Sequence, residues 1–549
     1  MWHPRNALRL TAAGLAATVG ALSLAACQDQ SSDSGGAATP APTSSSAASA
    51  ASSAAAASAS SAAPEPSPTR SYPLSSAPRT VPAVRSHQAA HGPGWRPSAN
   101  SGVVVARGSA GSGLADEAKL LAQELKIGYR GAVAARAGDV ELALKPGGGA
   151  ESYTLTAANN RVLITGPAQA GVFYATRTLK QAVRADGAMP EGVVRDSPDR
   201  PQRGLNLDIA RKFYSEGWIE DRLREMADLK LNQLGLHFSD DQGFRIESAT
   251  HPDIVSAEHF TKAQIRQILA VAARLHITVV PEIDSPGHLG AVLAPNPTLK
   301  LRNTAGVVTK GAIDISKPAS ARLIDDLDRE FAALFTGAYW HLGADEYQAL
   351  TVRDPAASFP QLATAARQKY GSGASVTDLT AGWTNDRAGV VTKLGKQPKV
   401  WNDGVFAGGT VHADKNLQIE YWTGKEIGAR QPVSYLQEGR PMVNLNDEYM
   451  YYVLGQPNDF TYPTGQRIYE QWTPLVLRGT TAVPARYSKQ ILGGRFAVWG
   501  DFPNAQTQDQ VAAGIKMPLA ATAQKLWNPG KPALSWTGFT ALATKLDVG

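Results

Sequence analysis

Two adjacent carboxylates, Asp345 and Glu346, close a short apolar and aromatic run that starts at Ala338. Such a run reads as a buried strand opening into a polar mouth. A carboxyl group placed there can give and take a proton, and a second can steady developing positive charge. Seven other stretches have the same shape. Asp208 and Arg211 end the first of the eight, His237 with Asp240 and Asp241 the second, and Glu282, Asp284 and His288 the third. His341 precedes the carboxylate pair in the fourth. Trp401, Asn402 and Asp403 end the fifth, Glu420 and Trp422 the sixth, Asn446, Asp447 and Tyr449 the seventh, and Trp499 and Asp501 the eighth. Carboxylates, histidines and indoles on one rim suit a sugar. Aromatic faces pack on pyranose C–H groups while carboxylates hold hydroxyls and one supplies a proton.

Other chemistries lack their residues. No Gly-x-Gly-x-x-Gly follows a strand and no Gly-Lys-Ser/Thr loop occurs, so nucleotides are unsupported. Gly-x-Ser-x-Gly is missing, and the single cysteine, Cys27, lies far from every strand end. His-Glu-x-x-His is missing too; His237, His288 and His341 on successive strands could in principle ligate a metal, but no metal or organic cofactor is expected. The formal charge of +6 comes without a dense basic run with interleaved aromatics, which argues against nucleic acid.

The elements that must position the rim are eight candidate strands, over residues 204–210, 232–240, 277–284, 338–345, 399–406, 417–423, 442–451 and 495–502. Most are separated by helical segments: 263–275 lies before the third and 320–335 before the fourth. Eightfold alternation predicts a parallel (β/α)8 barrel over residues 201–549, whose C-terminal strand ends form the active face. Residues 97–200 carry short alternating runs and two helical patterns, at 114–125 and 170–183, and predict a small α+β domain. The front end is different. Arg5 and Arg9 precede a short apolar run ending in Leu24-Ala25-Ala26-Cys27, the shape of a secretory signal over residues 1–27. Leu-Ala-Ala-Cys resembles a bacterial lipobox, which implies lipidation of Cys27 and a protein on the outer face of the cell membrane, or secreted. Residues 28–96 are rich in Ser, Ala and Pro and are expected to form a disordered tether.

Four long motifs, in this order, resemble those of glycoside hydrolase family 20, the β-N-acetylhexosaminidases. They run from Arg203-Gly204 through Leu207-Asp208 to Arg211; from His237 through Asp240-Asp241 to Arg245; from Pro281-Glu282 to His288; and from His341 to Glu346. Gly171-Val172-Phe173-Tyr174 is similar to that family's small α+β domain. The resemblance implies substrate-assisted catalysis with retention. Glu346 protonates the leaving oxygen and later activates water; Asp345 orients the sugar's 2-acetamido group, whose carbonyl oxygen attacks C1. Neighbouring side chains on a strand point to opposite faces, so unequal roles for this pair make sense. A working acid near neutral pH requires a raised Glu346 pKa, by partial burial and by Asp345. By the same resemblance Trp401, Trp422 and Trp499 wall the acetamide pocket and Tyr449 bonds its carbonyl. Arg203 holds the 3- and 4-hydroxyls, and Asp501 the 4- and 6-hydroxyls. His288, Asp240 and His341 complete the substrate-binding set; Asp241 could exchange with Asp240.

Two departures stand out. Gly-Ala-Asp-Glu replaces the usual Gly-Gly-Asp-Glu, so Ala344 adds a methyl beside the pair. Asp501 stands where many members have Glu, and a similar Asp occurs in the lacto-N-biosidase branch. The expected activity is therefore exo-hydrolysis of terminal β-linked GlcNAc or GalNAc. The alternatives are release of a Gal-GlcNAc disaccharide and a non-catalytic oligosaccharide-binding lipoprotein.

Overall fold

The computed structural model describes residues 71–425 and 429–549. The apolar leader, Cys27 and the tether as far as residue 70 lie outside the described residues. The rest of the expected tether, 71–96, is part of the first domain. His87–Ala89 adds an antiparallel edge strand against Gly192–Asp196. The Val81 N–H donates to Gln181 Oε1 at 2.7 Å, and Trp95 is fully buried, with its indole N–H on the Gly138 carbonyl at 2.9 Å. Composition averaged over 28–96 hides this. The Ser/Ala repeats give way to residues such as Val81 and Trp95 that have surface to bury.

The first domain is a seven-stranded sheet. From the His87–Ala89 edge its order continues through Gly192–Asp196, Tyr153–Ala158, Arg161–Gly166, Val140–Leu144 and Gly102–Val105 to Gly128–Tyr129. Tyr153, Leu155 and Ala157 alternate inward along one central strand, toward the helices Leu114–Leu125 and Gln169–Asp186. Arg177 and Lys180 on the second helix share Glu124 and Asp228, and so fasten the sheet domain to the first barrel helix.

The barrel strands are Gln202–Asp208, Gln233–Ser239, Thr278–Ile283, Tyr339–His341, Gln397–Trp401, Gln418–Tyr421, Met442–Asn444 and Ile491–Trp499. All pair in parallel, and the sheet closes because the eighth strand bonds both the first and the seventh. The first two strands are buried at every position, as a wall covered on both faces requires. Register sets neighbours at the upper rim: Asp208 lies beside His237, Glu282 beside His341, and Trp401 beside Glu420.

Three departures from strict alternation shape the site. The fourth strand ends at His341, four residues before the expected end, and Gly343, Ala344 and Glu346 follow with φ of 67°, 79° and 45°. Among the described residues only a 3-10 turn, Asn402–Gly404, and loop join the fifth and sixth strands. The seventh expected strand breaks into Met442–Asn444, a one-turn helix Asp447–Met450, and Tyr451–Val453, which pairs beside the end of the eighth.

Candidate active site

A cavity of about 170 Å³ opens at the C-terminal strand ends. Both carboxylates line it, with Arg211, His288, Trp401, Trp422, Tyr451, Trp499 and Asp501. A larger groove of about 590 Å³ on the first domain has one lining carboxylate, Asp196, already bonded by the Trp527 indole and Lys230.

The left-handed turn after His341 brings Asp345 and Glu346 to the same wall. His288 Nε2 lies 3.6 Å from Asp345 Oδ2 and 3.4 Å from Glu346 Oε2. The expectation that the pair points to opposite faces therefore fails, because the chain there is no longer a strand. Positive φ at Ala344 and Glu346 is costly for residues with a Cβ and has to be held by neighbours. Asp284 Oδ1 accepts the Ala344 N–H at 2.9 Å, and Asp403 Oδ2 accepts the Glu346 N–H at 3.0 Å. Gly343 is required by contact as well as by φ, since a Cβ there would sit 1.7 Å from Asp284 Oδ1. The methyl of Ala344 fits because residue 404 is glycine; a Cβ at Gly404 would meet it at 2.7 Å.

Charge is shared across this cluster. Burial, then the neighbouring Asp345, push Asp284 well above the carboxylate range, so it keeps a proton and hydrogen-bonds Asp345. Burial raises Asp345 as well, against the pull of His288. Burial and Asp345 lift Asp403 to about 8. His288 is buried, which disfavours its cation, but Asp240 and Asp345 outweigh that and hold it protonated. Glu346 moves the other way. Its hydrogen bond with His288 lowers it below the ordinary value, and its side chain is 51% exposed, too wet for burial to win. The expected upward shift is thus absent in the free protein. Asp284, His288 and Asp345 bring ligand-type atoms within 4.8 Å of one another, and a metal there would have to displace the protons this cluster holds.

The three expected indoles meet at the cavity. Trp401 and Trp499 meet at 5.9 Å and 57°, and Trp422 stacks flat on Tyr451 at 5.6 Å. Trp401 donates its N–H to Glu282 Oε1 at 2.7 Å, and Trp422 donates to Asp403 Oδ1 at 2.9 Å. Asp501 lines the mouth near Arg211, raised by burial and held back by that guanidinium. Asp240, not Asp241, faces inward. Its carboxylate meets His237 Nε2 at 2.8 Å, Arg211 at 2.7 Å and His288 Nδ1 at 3.4 Å, whereas Asp241 accepts the Gly290 N–H at 2.9 Å and faces Lys310.

Three expected contacts are corrected. Arg203 is at the opposite end of the barrel, 1% exposed, with its guanidinium on Glu151 at 2.9 Å and 3.0 Å and on the Arg200 carbonyl. It stands at the start of a strand whose active end is at Asp208, so it cannot reach a sugar. Arg211, three residues past that end, is the arginine in the cavity, held by Asp208 at 3.0 Å and Asp240 at 2.7 Å. Tyr449 is turned away by the Asp447–Met450 helix and packs under Arg467 at 4.4 Å; Tyr451 takes its place. His341 does not line the cavity but supports its floor, 4.5 Å beneath Trp401 and between Glu282 and Glu420. Val453, Asn458 and Phe460 also line the cavity, from a segment with no periodic or motif signal.

A closed parallel barrel with a proton-handling carboxylate pair and indole walls at its strand ends is the build of a sugar-cleaving enzyme. Residues 201–530 match the family described as glycosyl hydrolase family 20, catalytic domain, and residues 77–197 match its domain 2; the chain belongs to this family. Among its relatives, a lacto-N-biosidase of Bifidobacterium bifidum is 29% identical over 400 residues, covering 72% of this chain and 35% of its own. A β-N-acetylhexosaminidase of Cellulomonas fimi is 32% identical over 219 residues, 36% of this chain and 44% of its own. The chain thus spans less than half the length of these two relatives. The fold is similar to that of an exo-β-N-acetylglucosaminidase of Vibrio harveyi, with a TM-score of 0.70 and 21% identity over 86% of this chain and 78% of that one.

Proposed function

We propose that this glycoside hydrolase removes terminal β-linked GlcNAc or GalNAc with retention, using the sugar's own acetamide as nucleophile. One observation carries the reading. Asp345 and Glu346 share His288 Nε2, at 3.6 Å and 3.4 Å, and Asp345 is also buried and engaged by the proton of Asp284, which makes it a poor nucleophile. A double displacement needs a free carboxylate that can bond to the anomeric carbon. The nucleophile must then come from elsewhere, and the pocket walled by Trp401, Trp422, Trp499 and Tyr451 suits an acetamide.

In the first step the acetamide oxygen bonds to C1. The C1–O glycosidic bond breaks, its electron pair going to the leaving oxygen, which takes the proton of Glu346. Asp345 accepts the acetamide N–H and stabilises the cationic oxazolinium ring. In the second step Glu346 takes a proton from water, the water oxygen bonds to C1, and the ring reopens. The bound sugar displaces water from around Glu346. Its carboxyl is then desolvated and draws the proton held by His288 across the 3.4 Å contact. Arg211 and Asp501 hold the outer hydroxyls.

Release of a disaccharide is the second reading. It is supported by the shorter carboxylate at Asp501, which lines the mouth, and by the Bifidobacterium bifidum relative. Aryl β-GlcNAc should be cleaved much faster than the aryl lacto-N-bioside; the reverse preference would select the disaccharide. Glu346→Gln should abolish steady turnover of both, and unchanged turnover would remove Glu346 from the acid role. Export and lipid anchoring at Cys27 are proposed from the sequence alone. Wild type should need detergent for extraction and Cys27→Ala should not.

A further inference from the structure

Two halves of the site are joined beneath the cavity by one carboxylate. Glu282 is 2% exposed, at the end of the third barrel strand. Its Oε1 accepts the Trp401 indole N–H at 2.7 Å and faces His341 Nδ1 at 3.4 Å. Its Oε2 faces His237 Nδ1 at 3.2 Å. His237 in turn meets Asp240 through Nε2 at 2.8 Å, and Asp240 holds Arg211 at 2.7 Å and His288 at 3.4 Å. Each oxygen of Glu282 therefore serves a different sector: one the indole wall, the other the side that carries the proton and grips hydroxyls. We propose that Glu282 and His237 are positioning residues that lock the acetamide wall and the acid-base side into one geometry, so that the ring-forming attack and proton delivery are aligned together.

The chemistry fits this role. An imidazole with a carboxylate at each nitrogen satisfies both only as the doubly protonated cation. His237 is 2% exposed, and despite its burial the carboxylates of Glu282 and Asp240 hold it protonated. A buried cation between two buried anions is stiff, because moving any member leaves a charge unpaired. No glutamine or neutral histidine reproduces it. In Glu282→Gln the new amide could accept from Trp401 only by turning its N–H₂ toward His237, whose Nδ1 would then have to give up its hydrogen. Near-attack alignment is sensitive to shifts of this kind.

This inference rests on the hydrolase reading and goes beyond it, since neither residue touches the sugar. The test is a double-mutant cycle on full-length protein with an aryl β-GlcNAc substrate. Trp401→Phe removes only the indole N–H and edge, and should act mainly on KM. His237→Gln should act mainly on kcat. If one carboxylate couples them, the double variant loses at least about fivefold less in kcat/KM than the product of the single losses. Glu282→Gln should lower kcat and raise KM together, and in its background the same cycle should be multiplicative within about twofold. A residue that served only folding would lower the melting temperature without that coupling. A multiplicative cycle in the otherwise wild-type protein overturns the inference even if Glu282→Gln fails to fold. A wild type that cleaves neither an aryl N-acetylhexosaminide nor the aryl lacto-N-bioside overturns the hydrolase reading, and this inference with it.

Discussion

Exchanging the roles of two arginines is the sharpest consequence of the barrel's polarity. Arg211 is predicted to hold substrate hydroxyls and Arg203 to hold the domains together. Arg211 lies between Asp208 and Asp240, which are 0% and 1% exposed in their side chains. Arg211→Met leaves the buried Asp208 without its cation and Asp240 with only His237 and His288, which costs about 3–5 kcal/mol of stability. It also removes charged hydrogen bonds to sugar hydroxyls, each worth about 1.5–3 kcal/mol. Loss of two such bonds corresponds to a fall in kcat/KM of about a hundredfold or more. Arg211→Lys keeps the charge but not the fork, and should recover stability better than activity. Arg203→Met breaks the pair with Glu151 and loses comparable stability, but kcat/KM per folded molecule should stay within about threefold. The assay is aryl β-GlcNAc hydrolysis normalised to folded protein, beside thermal melts. A hundredfold activity loss in Arg203→Met, with Arg211→Met near wild type, would refute the assignment.

Tyr451→Phe should raise the barrier by about 1–3 kcal/mol through loss of a hydrogen bond to the acetamide carbonyl, while Tyr449→Phe leaves steady-state kinetics unchanged; equal effects would return the role to Tyr449. Burial, against the pull of Arg387, raises Asp328 to about 8. A raised folded-state value means that its contribution to stability is whole below about pH 4 and is lost as pH climbs through about 8. Asp328→Asn has no proton to lose, so its stability should gain on wild type between about pH 5 and 8, by at most about 1.4 kcal/mol per pH unit. Parallel melting curves across that range would contradict it.

Most of the fold is legible because the barrel repeats one physical pattern eight times, and the helices 114–125 and 263–275 fall within a residue of Leu114–Leu125 and Lys262–Arg274. The carboxylate pair, His288 and the three indoles are legible from strand ends alone. Two of the misplacements come from a break in periodicity, and that of Arg203 does not. Arg203 precedes the first expected strand, 204–210, and so belongs to the end away from Asp208; only the motif resemblance gave it a sugar contact. Counting along a strand misplaces Tyr449, because a helical turn interrupts that strand. Opposed faces for Asp345 and Glu346 require strand geometry, where Gly343, Ala344 and Glu346 are in fact left-handed. The domain starts earlier than composition suggests because Trp95 and Val81 are few among small residues, yet each is buried. The Arg211 position is within reach of sequence reasoning: three residues past Asp208 is where a side chain can turn back over the rim.

The direct test of the central proposal removes the nucleophile from the substrate and leaves the protein intact. Aryl β-glucoside and aryl β-GlcNAc carry the same leaving group and differ in the 2-acetamido group. If that group forms the bond to C1, kcat/KM for the glucoside should be lower by at least about a thousandfold, ~4 kcal/mol of barrier. Comparable turnover of the two would contradict the account, because the protein would then have to supply a nucleophile of its own.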